Sequence, residues 1–338
     1  MGSSFLTRRK DDYVAFKSIV DDSLTEVTAD MLSGIRVITD YAFAGCQNLE
    51  SVTIPGTVHT IGERSFSYCS KLYNLVVQSG VQAISMGAFI NLGSYVVTNV
   101  VSVVLPNSVT SIGVSAFNGS HISNITLPIN IREISYGCFG GCVLLSSIDI
   151  PDGVTSIGES AFSGCSSLTG VTIPNSVTSI GIGVFRECTS LNNVTIPNSI
   201  TSIPNSLFYH CTSLTNITLP TNFTSIGEMA FYSCGFTSIT LPSSLISIGA
   251  YVFYRCPYLN NITIPSGVTN IGNSTFNGCS SLSSVTVEAT TPPSLGSSVF
   301  DGTSQSLVIY VPAGSVETYK TTSGWSTYAD KIQAIPSP

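Results

Sequence analysis

The sequence predicts a β-rich repeat solenoid of about 11 coils with parallel strands, capped at both ends, and three observations carry that prediction. The first is a period. Phenylalanine recurs at Phe43, Phe66, Phe89, Phe117, Phe139, Phe162, Phe185, Phe208, Phe231, Phe253, Phe276 and Phe300, with gaps of 23, 23, 28, 22, 23, 23, 23, 23, 22, 23 and 24 residues. The second is that the copies share one order of apolar, turn and small residues around that phenylalanine. The third is composition: only 9% of the 338 residues are charged, against about 25% in ordinary soluble domains. Ser, Thr, Asn and Gly fill the positions between the apolar ones, so the surface is rich in hydroxyl and amide groups.

Residues 168–190, LTGVTIPNSVTSIGIGVFRECTS, show how each element of a coil arises. Val171 and Ile173 alternate around Thr172, the period of a half-buried strand. Pro174 ends that strand because it has no N–H to give a ladder. Val177 and Ile180 enclose Thr178 and Ser179 as a second short extended segment. Gly181 turns the chain, and Phe185 and Cys188 point back inward. A unit this small cannot bury its own apolar side; stacking places Leu on Leu and Phe on Phe, with strands about 4.8 Å apart. The outward strand position holds Thr53, Val76, Val104, Thr126, Asp149, Thr172, Thr195, Thr218, Thr240, Thr263 and Thr286, so a threonine ladder is expected along one face. Threonine there satisfies β-propensity, and it also suits ordered water or glycan.

The L-x-x-V-x-I-P core, followed by V-x-x-I-G and A-F-x-x-C, closely resembles the BspA-like leucine-rich repeat family over about 260 residues. The resemblance implies a right-handed leucine-rich-repeat solenoid on a microbial surface, engaged in adhesion to host proteins or to other cells. The motif on its own speaks to fold.

Three segments are expected: an N-terminal cap over residues 1–34, the solenoid over 35–287, and a degenerate last coil with a C-terminal cap over 288–338. The caps cover the open edges that a stack of coils leaves at its ends. At the C-terminus Leu307 to Val311 reads as a strand, Pro312 to Tyr319 as a turn into a short helix, and Trp325 as an apolar plug. The third coil departs most. Five extra residues lie between Phe89 and Phe117, Gln78 replaces the strand-ending proline, and Leu92 replaces cysteine. A bulged loop is expected over Gly93 to Asn99, with Tyr95, Val96 and Val97 either packing on the stack or facing a partner.

Composition excludes several functions. Net charge is −7 with 12 scattered Lys and Arg, so no basic stripe exists for nucleic acid. The most apolar stretch, Tyr95 to Leu105, is interrupted by Thr98, Asn99 and Ser102, too short to cross a bilayer. The start, MGSSFLTRRKDDYVAF, lacks the apolar core of a secretory signal.

Nine of the ten cysteines, Cys46, Cys69, Cys142, Cys165, Cys188, Cys211, Cys234, Cys256 and Cys279, sit three residues after a repeat phenylalanine and stack in one file. A reduced, buried ladder is expected, since parallel Cβ vectors disfavour disulfide bonds between neighbouring coils. Cys138 alone is off phase, and no zinc spacing accompanies it. His59, His121 and His210 fall at different phases and cannot share a metal. No H-E-x-x-H, G-x-S-x-G or P-loop phrase occurs, so no enzyme and no cofactor is expected. The acidic pairs Asp11-Asp12 and Asp21-Asp22 read as solvated charge. Seven N-x-S/T sequons, Asn118-Gly-Ser120 among them, follow from composition.

The informative departures follow the phenylalanine. Where most copies have Ser-Gly or Asn-Gly, four successive coils carry Arg186-Glu187, Tyr209-His210, Tyr232-Ser233 and Tyr254-Arg255, with Tyr251 and Tyr258 nearby. Stacked, these form an aromatic ridge rimmed by arginines, residue types enriched in binding hot spots. Tyrosines stacking only to cover the core edge give the same pattern. The expected function is a surface or secreted interaction module, adhesin-like, for host or neighbouring-cell proteins or glycans. A structural or receptor-binding component of a phage or other particle is the alternative.

Overall fold

The computed structural model describes residues 23–93 and 101–337. Most of the expected N-terminal cap and the residues Tyr95, Val96 and Val97 lie outside the described residues. The chain is a parallel-strand β-solenoid of about 13 turns, in two compact units, 1–181 and 182–338. The expectation was about 11 coils. The difference arises because strand pairing runs past the phenylalanine file: Glu26–Val27 pairs with Ser51–Ile54 before Phe43, and Val308–Val311 and Ile332–Ala334 continue the ladder after Phe300.

Most coils contribute one longer and one two-residue strand, both parallel to the equivalents in neighbouring coils. In the first unit Glu26–Val27, Ser51–Ile54, Asn74–Val77, Val101–Val104 and Ile122–Thr126 form one sheet. In the second, Ser238–Ile239, Asn261–Ile264, Ser284–Val287, Val308–Val311 and Ile332–Ala334 do the same. Register follows the sequence period: Thr53 faces Val76, Thr195 faces Thr218, and Thr263 faces Thr286. Inward Val and Ile are buried, Ile217 and Ile239 excepted, while the intervening threonines are partly or fully exposed, as period-two alternation demands.

Phenylalanines stack ring on ring within each unit. Centroids are 4.9 Å apart for Phe43–Phe66 and 5.7 Å for Phe208–Phe231, with interplanar angles of 9° and 5°. Each such pair stabilises by about 0.5–1.5 kcal/mol beyond its area burial.

The recurring glycine after the two-residue strand acts differently from the expectation. The Ile-Gly glycine does not adopt the left-handed conformation; it lies against the backbone of the preceding coil. A Cβ at Gly158 would sit 2.6 Å from the Tyr136 nitrogen. Close approach, not a turn, excludes a side chain there. The left-handed turns occur two residues before and two after each phenylalanine.

The threonine ladder is not continuous. Residues 147–150 carry no ladder pairing to Ile122–Thr126, and Asn216–Thr218 is not paired with Ser238–Ile239. The cause is a shortened corner. From the cysteine position to the strand-ending proline most coils have nine steps, as from Cys211 to Pro220, but Ser120 to Pro128 and Cys234 to Pro242 have eight. Ile122 and Phe236 then take the place of the corner leucine, and Phe236 is fully buried edge-on to Phe231 at 5.5 Å. The strand after a shortened corner cannot keep register with both neighbours, so pairing is lost there and a seam opens: residues 147–150 pair with neither Ile122–Thr126 nor Gly170–Thr172, whereas Ser238–Ile239 keeps its pairing to Asn261–Ile264. The two-residue strands remain paired beside both seams, Glu133–Ile134 with Ser156–Ile157 and Ser225–Ile226 with Ser247–Ile248. Each seam is therefore a slot of about 360 and 390 Å³ respectively, closed at its back.

The C-terminal cap matches its expectation closely. Val308–Val311 is a strand, Ala313–Ser315 a 3-10 turn, and Val316–Thr321 a short helix. Trp325 is fully buried, packs edge-on against Tyr319 at 4.9 Å, and donates its indole N–H to the Pro293 carbonyl at 2.8 Å. Buried Tyr319 donates to the Ala289 carbonyl at 2.7 Å.

Candidate binding surface

The residue after each repeat phenylalanine points outward because the phenylalanine points in. In the second unit that position holds Arg186, Tyr209, Tyr232 and Tyr254, one coil apart. Tyr209 and Tyr232 stack at 4.7 Å, Tyr232 and Tyr254 at 4.9 Å. The Arg186 guanidinium lies 4.6 Å over the Tyr209 ring and pairs with Glu187 at 3.1 Å. At the other end Arg255 lies 5.4 Å from the Tyr254 centroid, and Tyr251 meets Tyr254 edge-on at 5.7 Å. His210 sits exposed beside Tyr209, ring centroids 6.2 Å apart. Tyr258 is 60% exposed and makes no ring contact with this file among the described residues. The structure thus brings eight of the nine expected residues to one surface and leaves Tyr258 apart.

The backbone under the ridge is fixed by a hydrogen-bond file. Glu187 N–H donates to the Tyr209 carbonyl at 2.7 Å, His210 to Tyr232 at 2.7 Å, Ser233 to Tyr254 at 2.8 Å, and Arg255 to Asn277 at 2.8 Å. That direction requires positive φ two residues after phenylalanine. Gly45, Gly119, Gly141, Gly164, Gly278 and Gly302 supply it freely, whereas Glu187, His210, Ser233 and Arg255 adopt φ of 54–61° with a side chain attached. Such a residue costs about 1 kcal/mol or more. Burial raises the Tyr232 hydroxyl pKa, the Tyr209 phenol adds to this, and Arg255 opposes it. The ridge therefore presents the protonated Tyr232 hydroxyl within its stacked rings, with an arginine at each end. It can hydrogen-bond, stack and bind π faces.

Chemistry elsewhere is suppressed. All ten cysteines are free thiols and buried. The file has a feature that spacing alone did not disclose: seven of its nine thiols donate to the carbonyl of a phenylalanine in the preceding coil. Cys69 reaches Phe43 at 3.2 Å, Cys165 reaches Phe139 at 3.1 Å, and Cys211 reaches Phe185 at 3.0 Å. Ser120 occupies the same phase, donates to Phe89 at 2.6 Å and accepts from the Leu92 N–H at 3.1 Å. Reading every copy three residues past phenylalanine would have found it. Off-phase Cys138 fills the small-residue position before Phe139 and is fully buried. Burial pushes the thiols far up, Cys69 and Cys279 to about 12. No group of three His, Cys, Asp or Glu among the described residues is arranged to hold a metal. No helix of the described residues is long and apolar enough to cross a membrane.

Residues 14–100, 90–215 and 201–322 match the BspA type leucine rich repeat region. The chain belongs to the BspA-type leucine-rich repeat family. Among solved structures, this BspA-type chain is similar to a leucine-rich repeat protein from Bacteroides ovatus, at 22% identity over 92% of this chain and 99% of that one, with a TM-score of 0.46. A leucine rich cell surface protein from Faecalibacterium prausnitzii is 25% identical over 75% of this chain and 77% of that one, TM-score 0.41. The pneumococcal vaccine antigen PcpA is 18% identical over 90% and 78%, TM-score 0.50, and shares the fold. No curated protein matches the chain. In this BspA-type solenoid the seams described above were also open to sequence reading, since the two 22-residue phenylalanine gaps mark the shortened coils.

Proposed function

We propose that this chain is a non-enzymatic interaction module, displayed at a cell surface or secreted, that holds a protein of a host or neighbouring cell on the ridge of Tyr209, Tyr232 and Tyr254. The observation that carries the reading is the run of four successive non-glycine residues at positive φ beneath the stacked rings. Six other coils place glycine at that position and two, at Tyr68 and Asn91, also carry a side chain there, so the ridge is the longest such run, four coils against two. Strain kept at a local surface points to function there. Stacked tyrosines also give large contact area at low conformational cost, with arginines at the rim. The buried, protonated thiols are poor nucleophiles, which agrees with a binding role.

The test is a capture screen of host extracellular proteins on the immobilised chain, followed by alanine substitution of Tyr209, Tyr232 and Tyr254 together. Affinity for the captured protein should fall by more than about tenfold, one 1.4 kcal/mol step. Unchanged affinity in a folded triple variant would show that the ridge only covers the core edge.

A further inference from the structure

We propose that the two slots opened by the shortened coils are carbohydrate sites, each taking one neutral pyranose ring edgewise. The proposal goes beyond the ridge and uses other residues. In the second unit the slot is lined on one lip by Asn216, Ile217 and Thr218 and on the other by Ser238, Ile239 and Thr240. Two features make it more than a defect. First, the ladder that joins every equivalent strand nearby is missing here, so backbone N–H and C=O groups along both lips lack the partners they have elsewhere. A ligand that enters must both donate and accept hydrogen bonds in the plane of the sheet. Second, Ile217 and Ile239 are partly exposed, whereas Val194 and Ile262 at the same phase are 0% and 3% exposed.

A pyranose matches both features. Its ring is a disc with apolar C–H faces, suited to isoleucine walls, and a rim of hydroxyls that donate and accept. The threonine, serine and asparagine side chains at the mouth extend the same hydrogen bonding outward. No charged residue lines this slot, which disfavours anionic or cationic ligands. The paired two-residue strands behind it, Ser225–Ile226 and Ser247–Ile248, hold the back closed, so the opening is a wedge rather than a gap that would admit a whole extra strand. Its volume of about 390 Å³ lies in the range of small-ligand sites. The first unit has a similar slot between Asn124, Ile125 and Thr126 and the segment bearing Ser147, Ile148 and Asp149, with its isoleucines still buried at 3% and 6% exposure. Asp149 adds a carboxylate acceptor for sugar hydroxyls in that slot.

The experiment uses the whole chain with labelled isoleucine methyl groups, titrated with glucose, galactose, mannose and N-acetylglucosamine. At least one sugar should give saturable shifts of Ile217 and Ile239, and of Ile125 and Ile148, while Ile264 stays unmoved. Thr240→Arg places a long side chain across the second mouth without touching the core and should weaken the Ile239 response by about tenfold or more. Inserting one residue between Gly235 and Phe236 restores the corner and should abolish it. The proposal is overturned if none of the four sugars shifts these methyls, if Thr240→Arg leaves the response unchanged, or if a neutral Thr- and Asn-rich hexapeptide shifts them equally. The tyrosine triple variant separates the two proposals: it should lose the captured protein and keep the sugar response.

Discussion

At Glu187, His210, Ser233 and Arg255 a side chain is carried by a backbone at φ of 54–61°, and the single residue is the level at which that trade is measured. Glycine at any of the four relieves the left-handed strain while adding freedom to the unfolded chain. The balance predicts a gain of about 0.5–1 kcal/mol per substitution, read as a higher Tm; Arg255→Gly should gain stability and lose partner affinity together. Ser120 behaves oppositely. Its hydroxyl is fully buried, bonded both to Phe89 and to Leu92, so Ser120→Ala should cost about 1–3 kcal/mol in denaturant unfolding. The thiols add a pH dependence. Cys69 and Cys279 rise from 9.0 to about 12 on folding, so the folded chain holds protons that the unfolded chain releases. Their contribution is complete below pH 9 and is lost as pH rises from there toward 12. Thermal unfolding followed upward from neutral pH in reductant should show Tm falling above that point, and less steeply in a Cys69→Ala, Cys279→Ala variant.

Elements differ in how far the sequence announces them. The strands, the phenylalanine stack and the C-terminal helix follow from alternation, period and turn chemistry, which act over a few residues. The slots do not. They arise because eight steps replace nine at two corners, a deficit felt only when a strand must satisfy neighbours on both sides. Hydrophobic pattern is preserved by Ile122 and Phe236, so nothing in either copy taken singly signals a break. The Ile-Gly glycine was legible as glycine but not for its reason, which lies in the adjacent coil. Gly158→Ala should therefore destabilise by about 1–3 kcal/mol, the cost of forcing backbone apart in a packed interior, although the residue needs no special φ. In the cap, Trp325 closes the last coil through packing and one indole hydrogen bond. Trp325→Ala should cost about 3–5 kcal/mol, and amide exchange should quicken first in Val308–Val311 and Ile332–Ala334.

At the scale of the whole molecule, cohesion comes from apolar files and backbone ladders, with charge contributing little. Three ion pairs occur among the described residues, all with exposed side chains. Such pairs contribute about 0–1 kcal/mol each, so raising NaCl from low to high concentration should leave Tm nearly unchanged. The same uniformity explains why function was less legible than fold. Nearest-neighbour stacking fixes the inward residues of every coil, and outward Ser, Thr and Asn are chemically alike, so only departures such as Tyr232 or Phe236 carry local information. Most coils also bear one shielded cysteine at the same depth. Each such thiol is a latent tag that an alkylating reagent can mark only after its own coil has opened. Brief labelling under rising denaturant, read by peptide mass, would thus record the order in which the chain comes apart, coil by coil, with no engineered probe.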